Sequence, residues 1–137
     1  MHQRSETLAV STRRGLTEIT QAVRAAVRTA DVKDGLCTVY LRHTSASLVI
    51  QENADPSVRR DLEAFLSRLV PDGDPLFTHV DEGDDDMPAH AKAALLKTSE
   101  QIPVSGGELA LGTWQGLYVW EHRTRGHRRS VLVTVVG

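Results

Sequence analysis

A chain of 137 residues, 40% hydrophobic and 25% charged, is one domain long and can bury a core, which excludes a disordered or fibrous chain. Its formal net charge of −2 at pH 7 argues against a nucleic-acid partner, since phosphate contacts draw on an excess of Lys and Arg. No run approaches the roughly 20 apolar residues of a membrane-spanning helix, and the opening "MHQRSETLAVSTRRG" has no apolar h-region, so neither a membrane partner nor a secretory signal is expected.

Residues Glu6 to Thr12 alternate loosely and predict a first strand. Leu16, Ile19, Val23, Ala26 and Val27 recur at helical spacing, so "LTEITQAVRAAVRTADV" is expected to be an amphipathic helix. Asp34-Gly35 turns the chain into a strand from Leu36 to Arg42, and a second strand, Ser47 to Glu52, follows. The lone cysteine, Cys37, alternates with Val39 and Leu41 onto one face and is expected to be a small buried hydrophobe. It has no disulfide partner within the chain, which fits a reducing, cytoplasmic compartment.

Asp55-Pro56 marks a helix start, an N-cap carboxylate followed by a proline that loses no hydrogen bond there. Val58, Leu62, Phe65, Leu66 and Leu69 are the expected buried stripe of that helix. From Pro71 to Pro88 apolar residues are few and carboxylates many, which predicts a long loop. A short helix, "PAHAKAALLKT", follows, and then four β-rich segments: "SEQIPVS", "GELALG", "WQGLYVWEHR" and "RRSVLVTVVG". Gly106-Gly107 predicts a tight turn. Val131 to Val136 is apolar on both faces, so that strand should be central and covered on both sides. Short connections favour antiparallel pairing. The expected fold is therefore a single α+β domain, a mainly antiparallel β-sheet sandwich with helices packed on it.

Four places concentrate polar chemistry. They are His43, Thr44, Ser45, Asn53 and Asp55; "THVDEGDDDMPAH" with His79, Asp86 and His90; Thr113, Trp114 and Gln115; and Glu121, His122 and Arg123 with a basic turn. The four histidines sit on separate elements, which can converge as zinc ligands or proton donors must, yet their spacing is no local metal signature. The acidic run has two readings, a solvated loop whose Asp86 caps the next helix or oxygen ligation of Mg²⁺ or Ca²⁺. Nitrogen donors from His79 and His90 instead favour zinc. On a strand, Glu121 and His122 point to opposite faces. Arg123 reads either as a bidentate phosphate clamp or as a surface ion pair. Thr44 and Ser45 are candidate anion donors, and Trp114, between glycines, is either core or a ring for stacking on a ligand.

Together "HTSASLVIQENADPSVRRDLE", "HVDEGDDDMPAH", "LALGTWQGLYVWEHR" and "RRSVLVTVVG" resemble the YjbQ-like family, also called the secondary thiamine-phosphate synthase family, over nearly the whole chain. Two positions depart from the pattern: Asp84 stands where proline is common, and the turn at Arg125-Gly126-His127 is less glycine-rich. The resemblance implies a homotrimer with clefts near subunit boundaries and a cytoplasmic enzyme acting on a phosphorylated small molecule. The implied reaction is a transfer that joins a pyrimidine diphosphate to a thiazole phosphate. It also implies catalytic roles for His43, Glu121, Arg123 and Asp86, substrate contacts from Thr44, Ser45, Asn53 and Trp114, and a divalent metal, Zn or Mg, near His79, His90 and His122. Two alternatives accompany it: a metal-dependent hydrolase of a small phosphate or lactone, and a non-catalytic metabolite-binding trimer.

Overall fold

A computed structural model describes all 137 residues as eight strands and three helices. The strands are β1 (Gln3–Ser11), β2 (Gly15–Glu18), β3 (Gly35–Leu41), β4 (Ala46–Glu52), β5 (Ser99–Ser105), β6 (Glu108–Leu109), β7 (Gln115–Glu121) and β8 (Arg128–Val136). The helices are α1 (Thr20–Ala30), α2 (Pro56–Leu69) and α3 (Asp86–Leu95). All pairings are antiparallel. One sheet has the order β1-β8-β3-β5-β6 and the other β2-β7-β4. This is the α+β architecture expected from the sequence.

Both sheets and α1 share one core. Val23, Ala26, Val27 and Ala30 of α1 pack with Cys37, Val39 and Leu41 of β3, with Leu117 and Val119 of β7, and with Val131, Val133 and Val135 of β8. Burying the Cys37 thiol pushes it up to about 11, so it is held as an inert thiol. The opposite face of β7 carries Tyr118, Trp120 and His122. Trp120 Nε1 donates to Glu63 of α2 at 2.9 Å, and the Arg59 guanidinium lies over the Tyr118 ring. The three-stranded sheet is thus covered on both sides.

Four details differ from the sequence-based expectation. Leu16 to Glu18 form a strand, because their backbone groups pair with Tyr118 to Trp120 of β7, and α1 begins only at Thr20. In α2 only Leu66 is fully buried, while Phe65 and Leu69 are 64% and 58% exposed on this single chain. Strand β8 is central as expected, but its second face, with Leu132, Thr134 and Val136, remains half-exposed. The "GELALG" strand shrinks to two residues, after which the chain leaves the sheet. Gly106 and Gly107 both adopt positive φ, at 59° and 81°, the geometry a twisted hairpin turn requires.

The start of α2 follows its sequence signal closely. Asp55 is extended and accepts from Ser57 N–H at 2.9 Å, and Pro56 opens the helix.

Candidate metal centre and its surroundings

Helix α3 begins at Asp86, and the following turn places His90 on the same face, four residues on. The preceding loop brings His79 over that face. His79 Nε2 lies 2.7 Å and His90 Nε2 3.2 Å from the same oxygen, Asp86 Oδ2. The ligand-type atoms of these three residues all lie within 4.8 Å of one another. Asp86 is only 2% exposed, whereas the His79 side chain is 48% exposed, so the cluster has a buried floor and an open rim.

The hydrogen-bond pattern around His90 decides what this cluster can bind. His90 Nδ1 lies 2.9 Å from the Thr44 carbonyl and can only donate to it. In a neutral ring Nε2 is then a lone pair, aimed at a carboxylate oxygen. A second proton or a cation resolves that conflict. A carbonyl that fixes the tautomer of a histidine is the usual outer partner of a metal ligand. Tetrahedral zinc with bonds of about 2.0–2.2 Å places its donors roughly 3.3–3.6 Å apart, so the two histidine–Asp86 distances need to open by less than ~1 Å. Two nitrogens and one oxygen suit zinc or another transition metal better than Mg²⁺ or Ca²⁺. The donor set therefore fits a divalent metal.

Arg123, from the turn after β7, binds this floor from behind. Its Nε donates to Asp85 at 2.9 Å, its NH1 pairs with Asp86 Oδ1 at 2.9 Å, and its NH2 donates to the Glu82 carbonyl at 2.9 Å. Burial alone would raise the Asp86 carboxyl. The His79 hydrogen bond and the charges of His90 and Arg123 outweigh it and hold the group below its ordinary value. Asp85 likewise resists burial and is held well below the usual carboxylate range by Arg123 and Thr124. Asp86 does not cap α3 as one sequence reading expected. It is the first residue of the helix, preceded by Asp85 with no side-chain cap bond, because both carboxylates turn to Arg123.

Glu121 lies on the core side of β7 and is fully buried. It accepts from Arg129 Nε at 2.8 Å, from Arg129 NH2, from Thr12 Oγ1 at 2.6 Å and from Arg123 N–H at 3.1 Å. Burial raises its carboxyl, and the Arg129 and Thr12 hydrogen bonds more than offset that rise. Ser45 supports the same arginine through its carbonyl and hydroxyl oxygens. His43 accepts at Nε2 from Ser130 N–H at 2.8 Å. Thus Glu121, Ser45 and His43 meet around Arg129, while Thr44 joins the His79–Asp86–His90 cluster through its carbonyl.

The remaining candidates fall elsewhere. His122 is completely buried on the opposite side of β7 from Glu121, as strand alternation requires. It lies beside the Trp120 ring, with Nε2 2.9 Å from Ser47 Oγ. Burial, followed by the Lys92 charge, pushes it down to about 3. It is not part of the His79–Asp86–His90 group. Asn53 ties β4 to the loop before β7, donating to the carbonyls of Thr113 and Gln115. Trp114 is 64% exposed on that loop.

Two buried cations escaped the sequence reading. Arg129 is 4% exposed and Lys92 1%. The signal for Arg129 was its register: it alternates with Val131, Val133 and Val135 onto the inward face of β8. Lys92 falls on the buried stripe of α3 with Pro88 and Ala89.

Fold and cluster together define a small two-sheet α+β protein that carries two histidines and a carboxylate of metal-ligand type at one helix start. The profile of the family described as "UPF0047 protein YjbQ-like" matches residues 5–137. A UPF0047 protein of Synechocystis sp. is 52% identical over 136 residues, covering 98% of this chain and 92% of the other. UPF0047 protein YjbQ of Escherichia coli O157:H7 is 47% identical over 106 residues, 77% of this chain and 76% of that one. A conserved hypothetical protein from Thermus thermophilus superposes with a TM-score of 0.85 at 33% identity, covering 96% of this chain and 99% of its own. This chain belongs to the UPF0047 family of YjbQ-like proteins.

Proposed function

We propose that this protein is a metal-dependent transferase of phosphorylated small molecules, of the thiamine-phosphate synthase type. The observation that carries the reading is the clustering of His79 Nε2 and His90 Nε2 around Asp86 Oδ2. A pyrimidine diphosphate joined to a thiazole phosphate releases pyrophosphate, so negative charge grows on the leaving oxygens. A divalent metal held by these three residues would supply positive charge against that growth.

The chain's own residues have distinct parts in this reading. Arg123 positions the acidic floor, since each of its guanidinium nitrogens already has a protein partner. The Thr44 carbonyl orients His90. Trp114, exposed on its loop, is available to stack on a heteroaromatic ring. The half-exposed outer faces of β3 and β8, with Leu36, Tyr40, Leu132 and Val136, support a homotrimer in which further copies cover them. The buried lone thiol of Cys37 suits the reducing cytoplasm.

The test is product formation by purified protein, stripped of metal and then reloaded with Zn or Mg, given both substrates. Thiamine phosphate should form only in a loaded sample and fall at least tenfold in His90→Ala. No product above blank with any metal overturns the transferase reading. One observation favours a second reading, a metal-dependent hydrolase: three ligand-type residues under an open rim would hold a metal that solvent can reach, as hydrolytic zinc sites do. Loaded protein that releases phosphate or opens a lactone, without joining the two thiamine precursors, would select it. A protein that holds such a metabolite unchanged would instead be a binding trimer.

A further inference from the structure

The surroundings of His43 pose a problem of donors and acceptors. The Ser130 N–H is a fixed backbone donor, so His43 Nε2, 2.8 Å away, must be a lone pair. A neutral imidazole then carries its proton on Nδ1. Yet 3.4 Å from Nδ1 stands Arg129 NH1, which can only donate. Two N–H groups therefore face each other with no acceptor between them. The rest of the Arg129 guanidinium is fully used: Nε and NH2 are taken by Glu121 and Ser45. Only NH1 is left over, on a side chain that is 96% buried by its 4% exposure.

Charge favours an anion as the missing acceptor. Arg129, His127 and Arg42 all face His43 with positive charge or the capacity for it, and Glu121 alone opposes them. Glu121 is itself saturated by four donors from Arg129, Thr12 and Arg123. Arg42 has no carboxylate within 4.0 Å to neutralise it. The place also adjoins the metal cluster, because the residue bonded to His43 is Thr44, whose carbonyl holds His90.

We propose that His43 Nδ1–H and Arg129 NH1 form an oxyanion subsite that takes a phosphate oxygen of the substrate, next to the His79–Asp86–His90 cluster. This rests on the reading of the substrate as a phosphorylated small molecule, and it assigns the phosphate to Arg129 rather than Arg123. One ligand then spans both places: its phosphate lies between His43 and Arg129, and its reacting end lies at the open rim of the cluster. Two charge-assisted hydrogen bonds to a rigid, buried fork give the group orientation as well as affinity.

Inorganic phosphate is the probe, titrated into metal-free wild-type protein while the His43 ring nitrogens and the Nδ1 proton are followed by NMR. Phosphate should shift the Nδ1 signals, slow exchange of that proton and leave Nε2 bound to Ser130. His43→Ala should weaken phosphate at least about tenfold, the loss expected for one hydrogen bond to a charged group. Arg129→Lys, which keeps the charge without the fork, should weaken it similarly; if that variant does not fold, wild type and His43→Ala decide alone. Unshifted His43 signals at saturating phosphate, or equal affinity in His43→Ala, overturn the subsite. Zinc binding to the same metal-free sample reads the cluster separately, so the two ideas fail independently.

Discussion

Asp86 and Glu121 are two buried carboxylates, 2% and 0% exposed, each paired with an arginine and each held below its ordinary pKa. Their partners nevertheless differ in kind. The groups hydrogen-bonded to Glu121 are a guanidinium, a hydroxyl and a backbone N–H, and the His127 ring stays 3.8 Å from Oε1. Two of the partners of Asp86 are imidazole nitrogens, which can give up their protons and turn lone pairs inward. Burial and charge therefore do not distinguish a structural carboxylate from a ligand. What distinguishes them is whether the neighbours can exchange a proton for a metal.

The sharpest way to break this contrast is to remove one arginine. Arg129→Met leaves Glu121 buried and uncompensated, and should cost about 3–5 kcal/mol in urea denaturation. A loss below ~1 kcal/mol would mean Glu121 had found another partner, and its structural assignment would fall. Next comes His122, whose neutral state the fold enforces. Its folded value, about 3, lies below the ordinary 6.5, so the unfolded chain binds the extra proton first. Stability should thus be full above pH 6.5 and drain as pH falls from there toward 3, by up to about 1.4 kcal/mol per pH unit. His122→Gln should flatten that slope, and an unchanged slope would place the titration elsewhere.

At the His79–Asp86–His90 cluster the expected effect is on metal affinity rather than fold. His90→Ala should lower zinc affinity by more than the roughly 10–100-fold typical of losing an outer partner, measured by competition with a chromophoric chelator. The loss of stability in its metal-free form should stay within about 1 kcal/mol, as for other partly exposed sites. An affinity equal to wild type would remove the trio from consideration. The smallest effect belongs to the exposed pair Arg28–Glu108: Arg28→Ala should leave the denaturation midpoint unchanged within error, and a clear shift would show that surface pairs count here.

Much of the architecture could be read from local chemistry. β5 spans the seven residues of "SEQIPVS", whose burial alternates strictly, and Asp55-Pro56 starts α2 where the N-cap rule puts it. Where the reading failed, tertiary partners outvoted local pattern. Leu16 and Ile19 share the helical spacing of Val23, yet the open edge of β7 claimed residues 15–18 as a strand. Phe65 and Leu69 continue the apolar stripe of α2, but only Leu66 is fully buried and the other two stay exposed on the single chain.

The candidate site divides in the same way. His79, Asp86 and His90 belong to one short segment, so helical periodicity and a nearby loop are enough to suggest their meeting. His43, Glu121 and Arg129 come from three strand ends, and His122 sits one residue from Glu121 on the wrong face to join them. The sequence determined which residues carry ligand chemistry, along with the helices and strands that bear them, because those follow from side-chain type and short-range spacing. Only the tertiary structure decided which histidines meet Asp86, and that the Arg123 guanidinium turns to the acidic floor while Arg129 NH1 turns to His43. Those outcomes depend on strand register and on hydrogen-bond partners contributed by distant segments.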